Sequence, residues 1–80
     1  MFNTWEELEE SIKNCEKCKL CKTRKNIVFG SGNRVANIMF IGEGPGADED
    51  EMGMPFVGKA GKLMDKAFEG VGIDREKVYI

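Results

Sequence analysis

The stretch from Ile38 to Lys59, IMFIGEGPGADEDEMGMPFVGK, constrains this chain more than any other. Four apolar residues, Ile38 to Ile41, read as a strand within a segment Asn37 to Ile41 that is expected to be buried on both faces. They run into a loop that holds both prolines and five carboxylates: Glu43, Asp48, Glu49, Asp50 and Glu51. Six of the ten glycines (Gly42, Gly44, Gly46, Gly53, Gly58, Gly61) fall in this stretch or just after it. Glycine at that density signals backbone turns or close approaches that a Cβ forbids. A loop this long inside a compact domain is more often functional than merely connecting. Open α/β sheets bind ligands outside the carboxyl ends of their strands, where such a loop would lie.

With 80 residues the chain is at most one small domain, and a core of that size is marginal without a staple, a metal or more chain. An apolar fraction of 41% argues against disorder. Twelve basic and fourteen acidic side chains give a net charge of −2, which argues against general coating of nucleic acid but leaves room for local basic patches. No apolar run is long enough to span a bilayer, and the acidic opening MFNTWEELEE does not read as a signal peptide. The expectation is a cytoplasmic protein with no membrane partner. Three cysteines in a reducing compartment then point to metal or redox chemistry before disulfides.

Thr4 and Glu7 form a capping-box pattern, and Trp5, Leu8 and Ile12 make one narrow apolar stripe, so a packing helix is expected from about Thr4 to Asn14. The segment CEKCKLCKTRK follows. Cys15 and Cys18 are a C-x2-C pair, Cys21 stands three residues on, and Lys13, Lys17, Lys19, Lys22, Arg24 and Lys25 surround them. Such a pair can turn two thiolates onto one metal ion or iron–sulfur cluster, and nearby cations favour thiolate over thiol. Three cysteines and no histidine cannot supply four ligands. Either Cys15 and Cys18 bind with donors from elsewhere or the site is incomplete; three incidental cysteines and a thioredoxin-like redox pair are the other readings.

Ile27 to Phe29 suggests a short strand, and GSGN at 30 to 33 a turn in which Gly30, Gly32 and Asn33 can take positive φ. In the long loop, Asp48, Asp50 and Glu51 read as a solvated face. Glu43 differs, because it sits between two glycines directly off the strand, where a carboxylate could position a water or stabilise developing positive charge. A second helix is expected over Gly58 to Glu69 with Ala60, Leu63, Met64, Ala67 and Phe68 as core, and Val78 to Ile80 opens another strand. GMPFVGKA, Gly53 to Ala60, nearly matches the phosphate-binding loop G-x4-G-K-[ST]. Ala60 stands where a hydroxyl should hold magnesium, and the loop does not directly follow a strand.

Read together, CEKCKL at 15 to 20, Thr23-Arg24, IGEGPGADED at 41 to 50 and PFVGKAG at 55 to 61 resemble the family-four uracil-DNA glycosylases, the iron–sulfur type. The match covers nearly the whole chain in order. The resemblance implies an α/β, partial three-layer uracil-DNA-glycosylase-like fold with parallel strands, residues 1–80 being the N-terminal portion of a single domain truncated at Ile80. It implies hydrolysis of the N-glycosidic bond of uracil in DNA, with the target nucleotide flipped into a pocket. By this carry-over Phe56 stacks on uracil with Pro55 and Val57 fixing its ring, Glu43 and Gly44 contact the uracil edge, and Glu49 places the attacking water or holds the loop. Cys15 and Cys18 are two of the four ligands of a 4Fe-4S cluster, and Cys21 is not required. The two remaining cysteines, an asparagine that reads uracil and a histidine motif would follow Ile80.

The better-known uracil-DNA glycosylases carry an aspartate where this chain has Gly44, so no side chain there can act as a base. The resemblance also implies uracil-containing DNA as partner and a monomeric enzyme, with the eighty residues alone inactive. A rival reading is a non-catalytic metal- or DNA-binding module built on the cysteine and lysine segment; related modules also occur fused to phage-type DNA polymerases. A nucleotide-binding α/β piece is a third.

Overall fold

Three α-helices and two short 3-10 turns carry the regular structure of the chain in the computed structural model, which describes residues 2–80. Helix α1 spans Trp5–Ile12, α2 Ala47–Met52 and α3 Lys59–Val71, with 3-10 turns at Lys19–Lys22 and Arg75–Lys77. No helix among these residues is long and apolar enough to cross a membrane.

Helix α1 starts as its capping residues dictate: the Glu7 amide donates to Thr4 Oγ1 at 3.1 Å, and the Glu7 carboxylate reaches back to the Asn3 amide at 2.9 Å. Its apolar stripe of Trp5, Leu8 and Ile12 is half-buried. Trp5 docks the helix. Its ring lies 4.7 Å from that of Tyr79 and edge-on to Phe29 at 6.1 Å, and its indole N–H donates to the Arg34 carbonyl at 3.1 Å. Arg34 stacks 5.5 Å from the Trp5 ring and reaches Glu9 at 2.7 Å.

The centre of the molecule is the segment Val78 to Ile80, whose three residues are 4%, 5% and 7% exposed. It pairs on both sides. Ser31 and Ile80 exchange backbone bonds of 3.0 and 2.9 Å, and the Asn33 amide donates to the Val78 carbonyl at 3.0 Å, an antiparallel match about Gly32 and Tyr79. On the other side the Tyr79 amide donates to Ile38 at 3.1 Å and the Phe40 amide to Tyr79 at 2.8 Å, a parallel match about Met39. Phe68, Val78 and Ile80 form the core, with Phe40, Phe56, Met64 and Ile73 packed around it.

Four expectations are corrected. Residues 30 to 33 form no simple turn; Ser31 to Asn33 is the paired segment, with Gly30 and Gly32 at φ 149° and 111°, while Ile27 to Phe29 pairs with nothing among the described residues. The segment Asn37 to Ile41 is not buried on both faces. Phe40 turns inward onto Phe68, 5.0 Å away, but Ile38, Met39 and Ile41 are 50%, 51% and 86% exposed, because α3 covers only the Phe40 side. In α3, Ala60, Leu63 and Ala67, all expected in the core, are exposed. The inward stripe is Gly61, Met64 and Phe68, at i, i+3 and i+7, because the small residue at 61 permits the closest approach. Finally, α2 arises where only loop was expected.

The Tyr79 hydroxyl is buried without a hydrogen-bond partner among the described residues. Removing an unpaired buried donor relieves its desolvation cost, so Tyr79→Phe should hold or raise stability by about 1 kcal/mol. Phe68→Ala, which empties the centre of the core, should cost about 3 kcal/mol. Urea unfolding followed by circular dichroism checks both.

Candidate functional site: the loop after the first strand

Beyond Ile41 the chain turns through Gly42 to Pro45 and enters α2 at Gly46. Among the described residues the amides of Gly42, Glu43 and Gly44 have no hydrogen-bond partner, and all three residues are exposed. Exposed amides that the fold does not use are open to water or to a ligand.

Helix α2 is only six residues long and depends on what its carboxylates hold. Glu49 accepts from the Gly46 amide through Oε1 at 3.0 Å, and from Val57 and Gly58 through Oε2 at 2.9 and 2.7 Å. Gly46 and Gly58 are the N-caps of α2 and α3. One carboxylate therefore satisfies amides at two helix starts, where negative charge is favoured. These amides, Gly58 first and then Val57, hold the Glu49 carboxyl below the ordinary glutamate range. Asp50 accepts from Lys25 and Asn26 at 2.7 and 3.0 Å, and Asn26 returns bonds to the carbonyls of Asp50 and Glu51. The Asn26 amide is the leading reason that the Asp50 carboxyl is also depressed. Asp50 is thus not the plain solvated carboxylate expected, since it ties α2 to residues 25 and 26, whereas Asp48 and Glu51 stay exposed as expected, Glu51 in a surface pair with Lys25.

After α2 the backbone reverses at Gly53, φ 71°, and reaches Phe56 at φ 50°, the single non-glycine with positive φ among the described residues. That conformation costs an ordinary side chain roughly 1–2 kcal/mol and persists only where surroundings over-determine it. The surroundings are visible. Gly61 of α3 lies so close that a Cβ there would collide with the carbonyl of Phe56. Glu49 holds the two amides that follow, and the Arg75 guanidinium holds the carbonyls of Pro55 and Phe56 at 2.5 and 2.9 Å.

The Phe56 ring sits against Gly42: a Cβ on Gly42 would approach Cε2 and Cζ to 2.9 and 3.0 Å. The same ring packs on the core cluster, so it is a half-buried plate with one side toward the loop. It lines, with Phe40, Gly42, Glu43, Gly44 and Glu49, a cavity of about 390 Å³, a size typical of small-molecule sites.

Four sequence-identified residues, Glu43, Gly44, Glu49 and Phe56, thus meet around one cavity. The Glu43 side chain makes no hydrogen bond to another described residue, and the space where a Gly44 Cβ would point is open. Asp65 and Arg75, which help shape the Phe56 turn, were missed, whereas the close approach expected at Gly61 is there. A charged Arg-Glu-Lys turn carries no sign in sequence that its first residue folds inward.

The cysteines lie elsewhere. Cys15 is half-buried just after α1, its carbonyl accepting from Arg24 at 2.6 Å; Cys18 is exposed at the head of the first 3-10 turn, and Cys21 is half-buried within it. No three His, Cys, Asp or Glu side chains converge as a metal site among the described residues. The donors present match part of a four-thiolate set, not the whole.

Residues 29–80 match the sequence profile of the Uracil DNA glycosylase superfamily. The Type-4 uracil-DNA glycosylase of Pyrobaculum aerophilum is 51% identical over 75 residues, which cover 94% of this chain and 38% of that protein. That of Archaeoglobus fulgidus is 49% identical over 75 residues, covering 94% and 38%. That of Saccharolobus solfataricus is 53% identical over 74 residues, covering 91% and 34%. The chain therefore spans little more than a third of the length of these curated relatives.

The Glu49 linkage has a definite sign. A carboxyl whose folded pKa lies below its ordinary 4.5 contributes stability that is full above that value and is lost as pH falls through the folded pKa. Amide exchange at Val57 and Gly58, corrected for intrinsic rate, should therefore accelerate on acidification below the ordinary glutamate value. Glu49→Gln should exchange fast there already at neutral pH.

Proposed function

The chain belongs to the uracil DNA glycosylase superfamily, whose fold is α/β, and on that footing we propose that it forms the base-stacking side of a site that hydrolyses the N-glycosidic bond of uracil in DNA. The observation that carries this reading is one cavity lined by the Phe56 ring, which sits against Gly42, and by Glu43 and Gly44, whose amides no other described residue engages. The parallel Met39 and Tyr79 match is in keeping with the three-layer, parallel-strand arrangement proposed for the whole domain.

A base extruded from the duplex stacks on Phe56 with its polar edge toward those amides. Cleavage leaves negative charge on the departing base and positive charge on the sugar. Amide donors then face the base, and the unengaged Glu43 carboxylate is the group available for the sugar side or for a water. Of the two roles expected for Glu49, the geometry favours holding the loop: both its oxygens accept amides and its carboxyl is depressed, so it is a poor proton acceptor. Gly44 offers backbone only. The basic segment from Lys13 to Lys25 is available for phosphate contacts, which salt would weaken. Uracil-containing DNA as partner and a monomeric, cytoplasmic enzyme complete the reading.

Cys15 and Cys18 would hold two corners of a 4Fe-4S cluster, and thiolate ligation would then cross-link the segment after α1 to the other ligands. With only these two donors assigned, the eighty residues alone should not assemble a stoichiometric cluster. Iron and sulfide analysis after reconstitution checks this, and a stable brown absorbance at one cluster per chain would overturn it.

The stacking role is tested in a chimera that carries residues 1–80 in place of the matching region of the Pyrobaculum aerophilum relative. Base–aromatic stacking is worth roughly 1–3 kcal/mol, so Phe56→Ala and Phe56→Leu should each lower uracil excision by about five- to 150-fold. Affinity for undamaged DNA should change less than about twofold, because phosphate contacts supply it. Equal loss of excision and of DNA binding defeats the proposal.

A further inference from the structure

Successive carbonyls on an extended chain point to opposite sides, yet those of Pro55 and Phe56 both face one guanidinium. Arg75 Nη2 donates to Pro55 at 2.5 Å and Nη1 to Phe56 at 2.9 Å. The turn of Phe56 to φ 50° allows both carbonyls to be served at once. The same Nη1 lies 2.9 Å from Asp65 Oδ1, an acceptor on the solvent side of α3. The Arg75 side chain is 27% exposed, less than any other charged side chain engaged in an ion pair among the described residues. Three acceptors on two elements thus converge on one planar fork. A lysine ammonium, a single point of charge on a flexible stem, does not reproduce that geometry.

We propose that Arg75, oriented by Asp65, is the positioning residue that sets the Phe56 ring at the angle needed to stack a base. The proposal rests on the uracil-binding reading of the cavity and names a residue through which that reading is tuned. Arg75 does not itself line the cavity; it acts through the carbonyls of Pro55 and Phe56, two residues that do. The Phe56 carbonyl is caught between the Arg75 guanidinium and the Gly61 backbone, so the peptide groups flanking Phe56 are held on both sides. With the fork gone, Phe56 keeps only the Glu49 bonds to the amides after it and the Gly61 contact, and its ring is held less firmly against Gly42.

The experiment uses the chimera that carries residues 1–80 in place of the matching region of the Pyrobaculum aerophilum relative, with free uracil as probe and nuclear magnetic resonance as readout; the unsubstituted chimera serves as wild type. Wild-type protein should show a strong Overhauser contact between the Phe56 ring and the Gly42 Hα protons, and uracil should shift the amides of residues 42 to 44. Arg75→Lys should lose at least half of that contact and bind uracil about tenfold more weakly, the size expected for loss of one stacked ring. A wild-type contact and unchanged uracil affinity in Arg75→Lys would overturn the proposal, even if the urea midpoint fell, because a merely structural arginine predicts that result.

Where Arg75→Lys does not fold, Asp65→Ala, which removes the acceptor, decides: a weakened Phe56 and Gly42 contact supports the relay, and a full one overturns it. If uracil shifts no amide in wild type while Arg75→Lys still frees the ring, the uracil reading falls and the hold of Arg75 on Phe56 stands.

Discussion

Three backbone amides from two helix starts end on one carboxylate, and the loop geometry follows from that convergence. Glu49 ties Gly46 to Val57 and Gly58 and so closes the excursion that begins after Ile41 and ends where α3 begins. A helix of six residues cannot stand on propensity alone, and Asp50 supplies its second anchor at Lys25 and Asn26. The loop behaves less like a connector than like a small folded unit hung from a short helix.

Around this unit the sheet is slight. Its pairings reduce to two isolated bridges, both at Tyr79, and the strand leading into the loop is largely exposed. Rigidity at the site therefore comes from side chains bonding to backbone: Glu49 to amides, Arg75 to carbonyls, and α3 packed through Gly61 onto the turn between them. Phe56 sits where all three constraints meet, which explains how a phenylalanine keeps a left-handed conformation.

Much of this was legible in sequence, and what was not has physical causes. Thr4 and Glu7 marked the start of α1, and the stripe ending at Phe68 marked α3, because capping and a period of 3.6 are local signals. Helix α2 was invisible, since ADEDEM has no apolar period and exists through contacts with distant residues. GSGN was read as a turn because glycine and asparagine suit turns; its pairing with Val78 to Ile80 is non-local. For the cavity, glycine density and the family resemblance brought Glu43, Gly44, Glu49 and Phe56 to notice. Arg75 escaped, because an arginine after Asp74 in a charged turn looks the same whether it folds inward or faces water.

The loop Gly53 to Ala60 imitates a nucleotide-phosphate loop, and the fate of its amides shows why it need not act as one. The seat at the head of α3 that a phosphate oxygen would occupy is taken by the chain's own Glu49. A tethered anion has an effective concentration fixed by the polypeptide rather than by the medium. Dissolved phosphates and the diffusing ions of a salt buffer must displace an occupant that never leaves the neighbourhood. The turn at the head of α3 therefore keeps its shape whatever anions the surrounding solution holds.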